Sequence, residues 1–151
     1  MDWRTKCGPV TWRVLHALAA KFSKHSELER VVFGILNTIP CTSCRVDSLR
    51  AWNNKPIDSR IEFFLFNLHN SVNAKLGRPS FPIKHLAMYY TPDNLKTIFT
   101  RDLFVVNLVS ESIGENWLGI VTNDLFTREE RLAYSNYKNK QNLQYLRNIN
   151  L

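Results

Sequence analysis

The chain is poor in cysteine, with three in 151 residues. A small secreted scaffold stapled by disulfides carries more of them, in even number, so that class is excluded. A long apolar run is also missing. A membrane-spanning helix needs roughly 18 apolar residues in succession. The richest stretch, Leu103 to Val109, is interrupted by Asn107 and preceded by Arg101 and Asp102. Met1 to Lys6 is polar and charged, with no apolar segment ahead of a cleavage site. There is no internal repeat, no low-complexity tract and no sustained alternation of apolar and polar residues, although Phe104-Val105-Val106 is β-prone. These absences lead us to expect one soluble domain made in the cytosol. In that compartment a CxxC pair is more often catalytic or metal-binding than a passive staple.

What is present fits a globular protein: 44% hydrophobic and 22% charged residues. The formal charge of +7 serves solubility or attracts acidic partners, phosphates or nucleic acid.

Apolar periodicity predicts an all-α chain. Pro9 opens a helix over roughly 9–24 with Val14, Leu15, Leu18 and Phe22 on one face. Ser26 and Glu29 read as a capping box before Leu28, Val31, Val32, Ile35, Leu36 and Ile39, and Pro40 ends that stripe. Cys41 and Cys44 begin a third helix reaching about Trp52. Ser59 and Glu62 read as a second capping box, opening a helix with Ile61, Phe64, Leu65, Leu68, Val72 and Leu76 that stops near Gly77 and Pro79. Short connections make this a four-helix bundle. Beyond residue 80, Thr91-Pro92 starts a helix near 92–100, residues 101–126 are helix or irregular chain, and Thr127 with Glu130 is a third capping box. We expect a first domain over 1–100 and an extension over 101–151, packed on the bundle or at a dimer interface through Phe104, Val105, Leu108, Val109, Trp117, Leu118 and Ile120.

Cys41-Thr42-Ser43-Cys44 places both sulfurs within one helical turn. A thiolate is the nucleophile of thiol–disulfide exchange, and a helix N-terminus lowers a thiol pKa. The rival readings are a structural zinc site, which lacks a second CxxC, a thioredoxin-like site, which lacks βαβ context, and two inert buried cysteines. Trp12 and His16 lie four apart on the first helix, and His69 and Asn73 lie four apart on the fourth. His69, Asn70 and Asn73 border the apolar face set by Leu65, Leu68 and Val72. Burying such groups without partners is costly, so they either face solvent or are satisfied by a polar organic ligand. Arg128, Arg131, Lys138, Lys140 and Arg147 support a competing reading, a basic helical module holding nucleic acid or an acidic partner around a structural CxxC.

Three runs stand together: Gly8-Pro9-Val10-Thr11-Trp12-x-x-Leu15-His16-x-x-Ala19, then Cys41-x-x-Cys44, then His69-Asn70-x-Val72-Asn73-x-x-Leu76-Gly77-x-Pro79. The combination resembles the Erv/ALR sulfhydryl oxidases, over about residues 8 to 81, and most of all the short members encoded by large cytoplasmic DNA viruses. The resemblance implies a helical bundle holding FAD, usually as a homodimer. It implies FAD contacts from Gly8, Thr11, Trp12 and His16, and from His69, Asn70, Val72, Asn73 and Leu76. Lys75, Arg78 or Lys84 would meet the phosphates, with Trp52 and Phe66 as candidates for an aromatic wall. No metal is implied.

The chemistry implied is disulfide formation in a protein dithiol. Cys41 exchanges with substrate, Cys44 faces FAD, and electrons pass to O2 as hydrogen peroxide. For a viral member this implies the host cytoplasm and virion, and a thioredoxin-like relay protein. Four departures stand out. Cys7 occupies a position where many members have Trp or Arg. The extra structural cysteine pair of cellular members is absent, and so is a second CxxC shuttle. Where members place a Trp after the His-Asn motif, the nearest aromatics noted are Tyr89 and Tyr90.

Overall fold

The computed structural model describes residues 7–88, 91–112 and 125–149. Met1 to Lys6, Tyr89, Tyr90, Trp117, Leu118 and Ile120 lie outside the described residues. The fold is all-α, and the four expected helices are present: α1 Gly8–Lys21, α2 Leu28–Asn37, α3 Thr42–Asn54 and α4 Ile61–Lys75. They are followed by a single turn α5 His85–Met88, by α6 Pro92–Thr97, by a π-helical turn Ile98–Asp102, by α7 Leu103–Ser112 and by α8 Arg128–Ile149.

α1 is the central element. It packs on α4, α2, the π-helical turn and α7, while α3 lies on α2. Val14, Leu15 and Leu18 of α1 meet Val32, Ile35 and Leu36 of α2 and Leu65 of α4, all at most 1% exposed. The core does not stop near residue 100. Ile98, Phe99, Leu103, Val106, Leu125, Phe126 and Tyr134 belong to the same buried cluster. The β-prone Phe104-Val105-Val106 is helical, because a helix lets Leu103 and Val106 share one buried face.

The helix ends show where local signals lose to competition. α1 stops at Lys21 rather than near residue 24, and the Phe22 ring turns edge-on to Phe126, 5.4 Å between centroids. The first expected capping box does not form: the helix begins at Leu28 with Glu27, not Ser26, in the N-cap position and no side-chain cap bond, while the Glu27 N–H donates to His25 Nδ1 at 3.1 Å. Nor does the second, because Glu62 pairs with Arg60, which occupies the N-cap of α4. The third forms in both directions: Thr127 N–H donates to Glu130 Oε1 at 2.9 Å, and Glu130 N–H to Thr127 Oγ1 at 3.2 Å. Thr91 caps α6 as its Thr-Pro sequence requires, accepting from Asn94 N–H at 3.3 Å. The helix expected over 92–100 widens into the π-helical turn, which buries Ile98, Phe99 and Asp102 together.

α4 closes with a left-handed glycine. Gly77 has φ +67°, Arg78 N–H donates to the Asn73 carbonyl at 2.8 Å, and Gly77 N–H to the Ala74 carbonyl at 3.2 Å. This is a Schellman closure. A Cβ at residue 77 would meet nothing within 4 Å, so Gly77→Ala costs only its backbone strain. We expect a loss of about 1–2 kcal/mol in urea unfolding. A neutral substitution would show that the turn can relax away from this conformation.

Candidate functional site

A cavity of about 470 Å³ lies between α1, α3 and α4, within the range of organic ligand sites. Residues at helical spacing supply each wall. Gly8, Trp12 and His16 come from α1, Cys44 and Ser48 from α3, and Leu68, Val72 and Leu76 from α4 and its cap. The Schellman turn then brings Arg78 and Phe81 onto the wall.

Four rings stack in its wall. Trp12 lies on His69 with centroids 4.3 Å apart and planes 7° from parallel. Phe81 covers the other rings, 4.8 Å from His69 and 5.2 Å from His16. His16 Nε2 and His69 Nδ1 share a hydrogen bond of 3.0 Å, one donating and the other accepting. Burial first, then the nearby His69, holds the His16 pKa down to about 3. Burial and then Arg78 hold His69 down to about 4. Both rings are therefore neutral near pH 7, and the shared hydrogen bond is compatible with that, one ring donating and the other accepting.

Cys41 and Cys44 are joined as a disulfide. As the sequence suggests, they open α3: Cys41 is the N-cap residue, and its Sγ accepts the Cys44 N–H at 3.3 Å. Arg45 ties this turn to the end of α2 by donating to the Ile39 carbonyl at 3.0 Å. Cys44 lines the cavity and Cys41 does not. The two sulfurs of one disulfide thus differ in one respect: the cavity is lined by Cys44 and not by Cys41. Cys7 is a buried thiol at the N-cap of α1, outside this pair.

Of the residues expected to hold a cofactor, the cavity brings together Gly8, Trp12, His16, His69, Val72, Leu76 and Arg78. Lys75 also lines it, and pairs with Asp47 of α3 across the mouth. That hydrogen bond lowers the Asp47 pKa. Thr11, Asn70, Asn73 and Lys84 are not on the wall. Thr11 is buried and donates to the Cys7 carbonyl at 2.9 Å. Asn70 grips the Phe81 backbone, accepting its N–H at 2.7 Å and donating to its carbonyl at 3.3 Å. Asn73 is buried, and its carbonyl anchors Arg78. Lys84 is exposed. Trp52 packs instead between Phe33 and Phe64, and Phe66 stands behind Phe81, 6.4 Å between centroids.

Sequence reasoning missed Arg13, Asp47 and Phe81, all on the wall. Phe81 carried a usable signal, an aromatic just past the Gly77–Pro79 stop. Arg13 carried none, because its partner Asp102 is 89 positions away. Of the basic residues on α8, Arg131 is engaged with the Phe126 carbonyl at 2.6 Å. Among the described residues no helix is long and apolar enough to cross a membrane.

The Erv1 / Alr family model matches residues 9–91, more than half of the chain and all of the cavity wall except Gly8. The mitochondrial FAD-linked sulfhydryl oxidase erv1 of Schizosaccharomyces pombe is 34% identical over 87 residues, covering 49% of this chain and 47% of the relative. The putative FAD-linked sulfhydryl oxidase 096R of Invertebrate iridescent virus 3 is 32% identical over 95 residues, covering 55% and 64%. The FAD-linked sulfhydryl oxidase ERV1 of Oryza sativa subsp. japonica is 29% identical over 93 residues, covering 55% and 48%. The matches thus span about half of the two cellular relatives and somewhat more of the viral one. No solved structure matches.

Proposed function

The chain belongs to the Erv1/Alr family, and from that premise we propose that it is an FAD-dependent thiol oxidase that makes disulfides in protein dithiols. One observation carries this reading: the Cys41–Cys44 disulfide has one sulfur in the wall of a cavity already lined by Trp12, His16, His69 and Phe81. The cavity's fit supports FAD as the ligand. Flat rings suit a flat aromatic cofactor, Lys75 and Arg78 suit phosphates, and the volume suits an organic molecule. Gly8, Trp12, His16, His69, Val72, Leu76, Lys75 and Arg78 would hold it. Asn70 and Asn73 would act behind them, through Phe81 and Arg78. FAD, when bound, supplies a two-electron acceptor that O2 can reoxidise, with hydrogen peroxide as product.

The chain's own part is thiol exchange. A substrate thiolate attacks Cys41 Sγ. The Cys41–Cys44 bond breaks, a mixed disulfide forms on Cys41, and Cys44 leaves as a thiolate. The second substrate thiol then attacks its partner sulfur and releases Cys41 as a thiolate. That departure is favoured because Cys41 Sγ sits at a helix N-cap and accepts the Cys44 N–H. Substrate leaves as a disulfide, its two electrons remain on the cysteine pair as two thiolates, and its two protons pass to solvent. Cys44, on the cavity side, is placed to pass the electrons on.

The same reading carries a homodimer, a thioredoxin-like relay as the dithiol partner, and work in the cytoplasm. It treats residues 1–100 as the cofactor-holding unit, with the chain from 101 onward packed on it. No observation favours the nucleic-acid module over this. The test is the visible spectrum of the purified protein. An absorption band near ~450 nm that dithiothreitol bleaches and air restores is expected of bound flavin. A colourless protein that takes up no added FAD would overturn the reading.

A further inference from the structure

Arg13 is a cavity-lining cation tied to a residue beyond the family match. Its Nε and Nη2 donate to Asp102 Oδ2 and Oδ1 at 2.9 and 3.3 Å, a two-point clamp. Asp102 sits in the π-helical turn and is 2% exposed. Arg101 Nε lies 3.5 Å from the same carboxylate. A buried ion pair is a poor way to stabilise a fold, since apolar residues of similar volume serve as well or better. Its strength is geometric. It fixes a planar guanidinium in one orientation, and here the residue that carries it is one of those lining the cavity. π-helical turns are also common where a helix must aim one side chain at a functional site.

Resting on the FAD reading above, we propose that Arg13 is a cofactor-binding residue and that Asp102 is its positioning residue. The segment after residue 91 therefore helps to build the cofactor site rather than merely lying against it. Arg13 offers the cofactor a fixed N–H donor face, and Asp102 neutralises the charge so that the donor costs little to keep half-buried.

The test separates this role from a structural one. The single Arg13→Met variant strands the Asp102 carboxylate and can fail to fold, so the decisive protein is Arg13→Met with Asp102→Leu, which replaces the pair by apolar side chains. FAD is titrated into apoprotein, and thermal unfolding is followed without FAD. The expected result is near-wild-type unfolding with FAD affinity lowered about tenfold or more. Asp102→Asn alone should lower affinity in the same direction, and should add little when Arg13 is already Met, because the two act as one unit. A well-folded double variant that binds FAD as tightly as wild type would overturn the proposal while leaving the FAD site intact. Wild-type protein that binds no FAD would overturn the site reading itself, and the proposal with it.

Discussion

Cys44→Ser protein should retain FAD at wild-type stoichiometry and lose dithiol oxidation by about three orders of magnitude or more. Cys44 contributes its side chain to the cavity wall, and serine fills nearly the same space, so the cavity survives. What disappears is the only cysteine sulfur lining that cavity. Cys41→Ser should be equally inactive towards a protein dithiol, for a different reason: the outer sulfur that substrate attacks is gone. A second readout divides the roles. The thiol left in Cys44→Ser, at the N-cap of α3, should react quickly with a bulky maleimide. The thiol left in Cys41→Ser, in the wall of a cavity occupied by FAD, should react more slowly. Turnover by Cys44→Ser, or equal maleimide rates, would reverse or abolish the assignment.

The second large effect is a loss of stability in mild acid, centred on the histidine pair. His16 and His69 have folded pKa values of about 3 and 4, against an ordinary 6.5. Below pH 6.5 the unfolded chain takes up protons on these rings while the folded chain does not. Folding stability is thus fully present above about pH 6.5 and is lost as the pH falls through the folded values. Between pH 6.5 and 4.5 His16 alone accounts for on the order of 3 kcal/mol, two pH units at ~1.4 kcal/mol each, and the half-buried His69 adds less. That is a large part of the ~5–15 kcal/mol that holds a domain of this size together. Urea unfolding between pH 7 and 4.5 isolates the effect, because the paired carboxylates of Asp47 and Glu130, both lowered, titrate further down. The midpoint should fall steadily over that window in the wild-type protein. His16→Phe, which keeps a ring in place without a titrating nitrogen, should flatten the slope. A slope unchanged by this substitution would place the acid sensitivity elsewhere.

The sequence was most legible where one helix decides its own geometry. The i, i+3, i+4 stripe of α2 and the placement of Cys41 and Cys44 in one helical turn need no tertiary information. The convergence of Trp12, His16 and His69 was readable from the family resemblance, because those residues sit at fixed phases of two helices that must pack. It failed where a neighbour outbid a local signal. Ser26 and Ser59 lost the N-cap positions to Glu27 and to Arg60, which pairs with Glu62. The partnership of Arg13 with Asp102 depends on how far α7 folds back over α1, which periodicity does not report. Asn70 and Asn73 were expected at the cofactor, and neither lines the cavity. The Asn70 side chain holds the Phe81 backbone, whereas Asn73 holds Arg78 through its main-chain carbonyl, which any residue would supply.

The grip of Asn70 on Phe81 bears on when the cavity acquires its shape. Part of its wall is loop, from Gly77 to Phe81, and a free loop of that kind must be ordered each time a ligand arrives. Two hydrogen bonds from a helix side chain to a single backbone unit remove that freedom while the chain folds. The entropy is surrendered once, to folding, and association with a flat ring has only the ligand's own motions left to restrict.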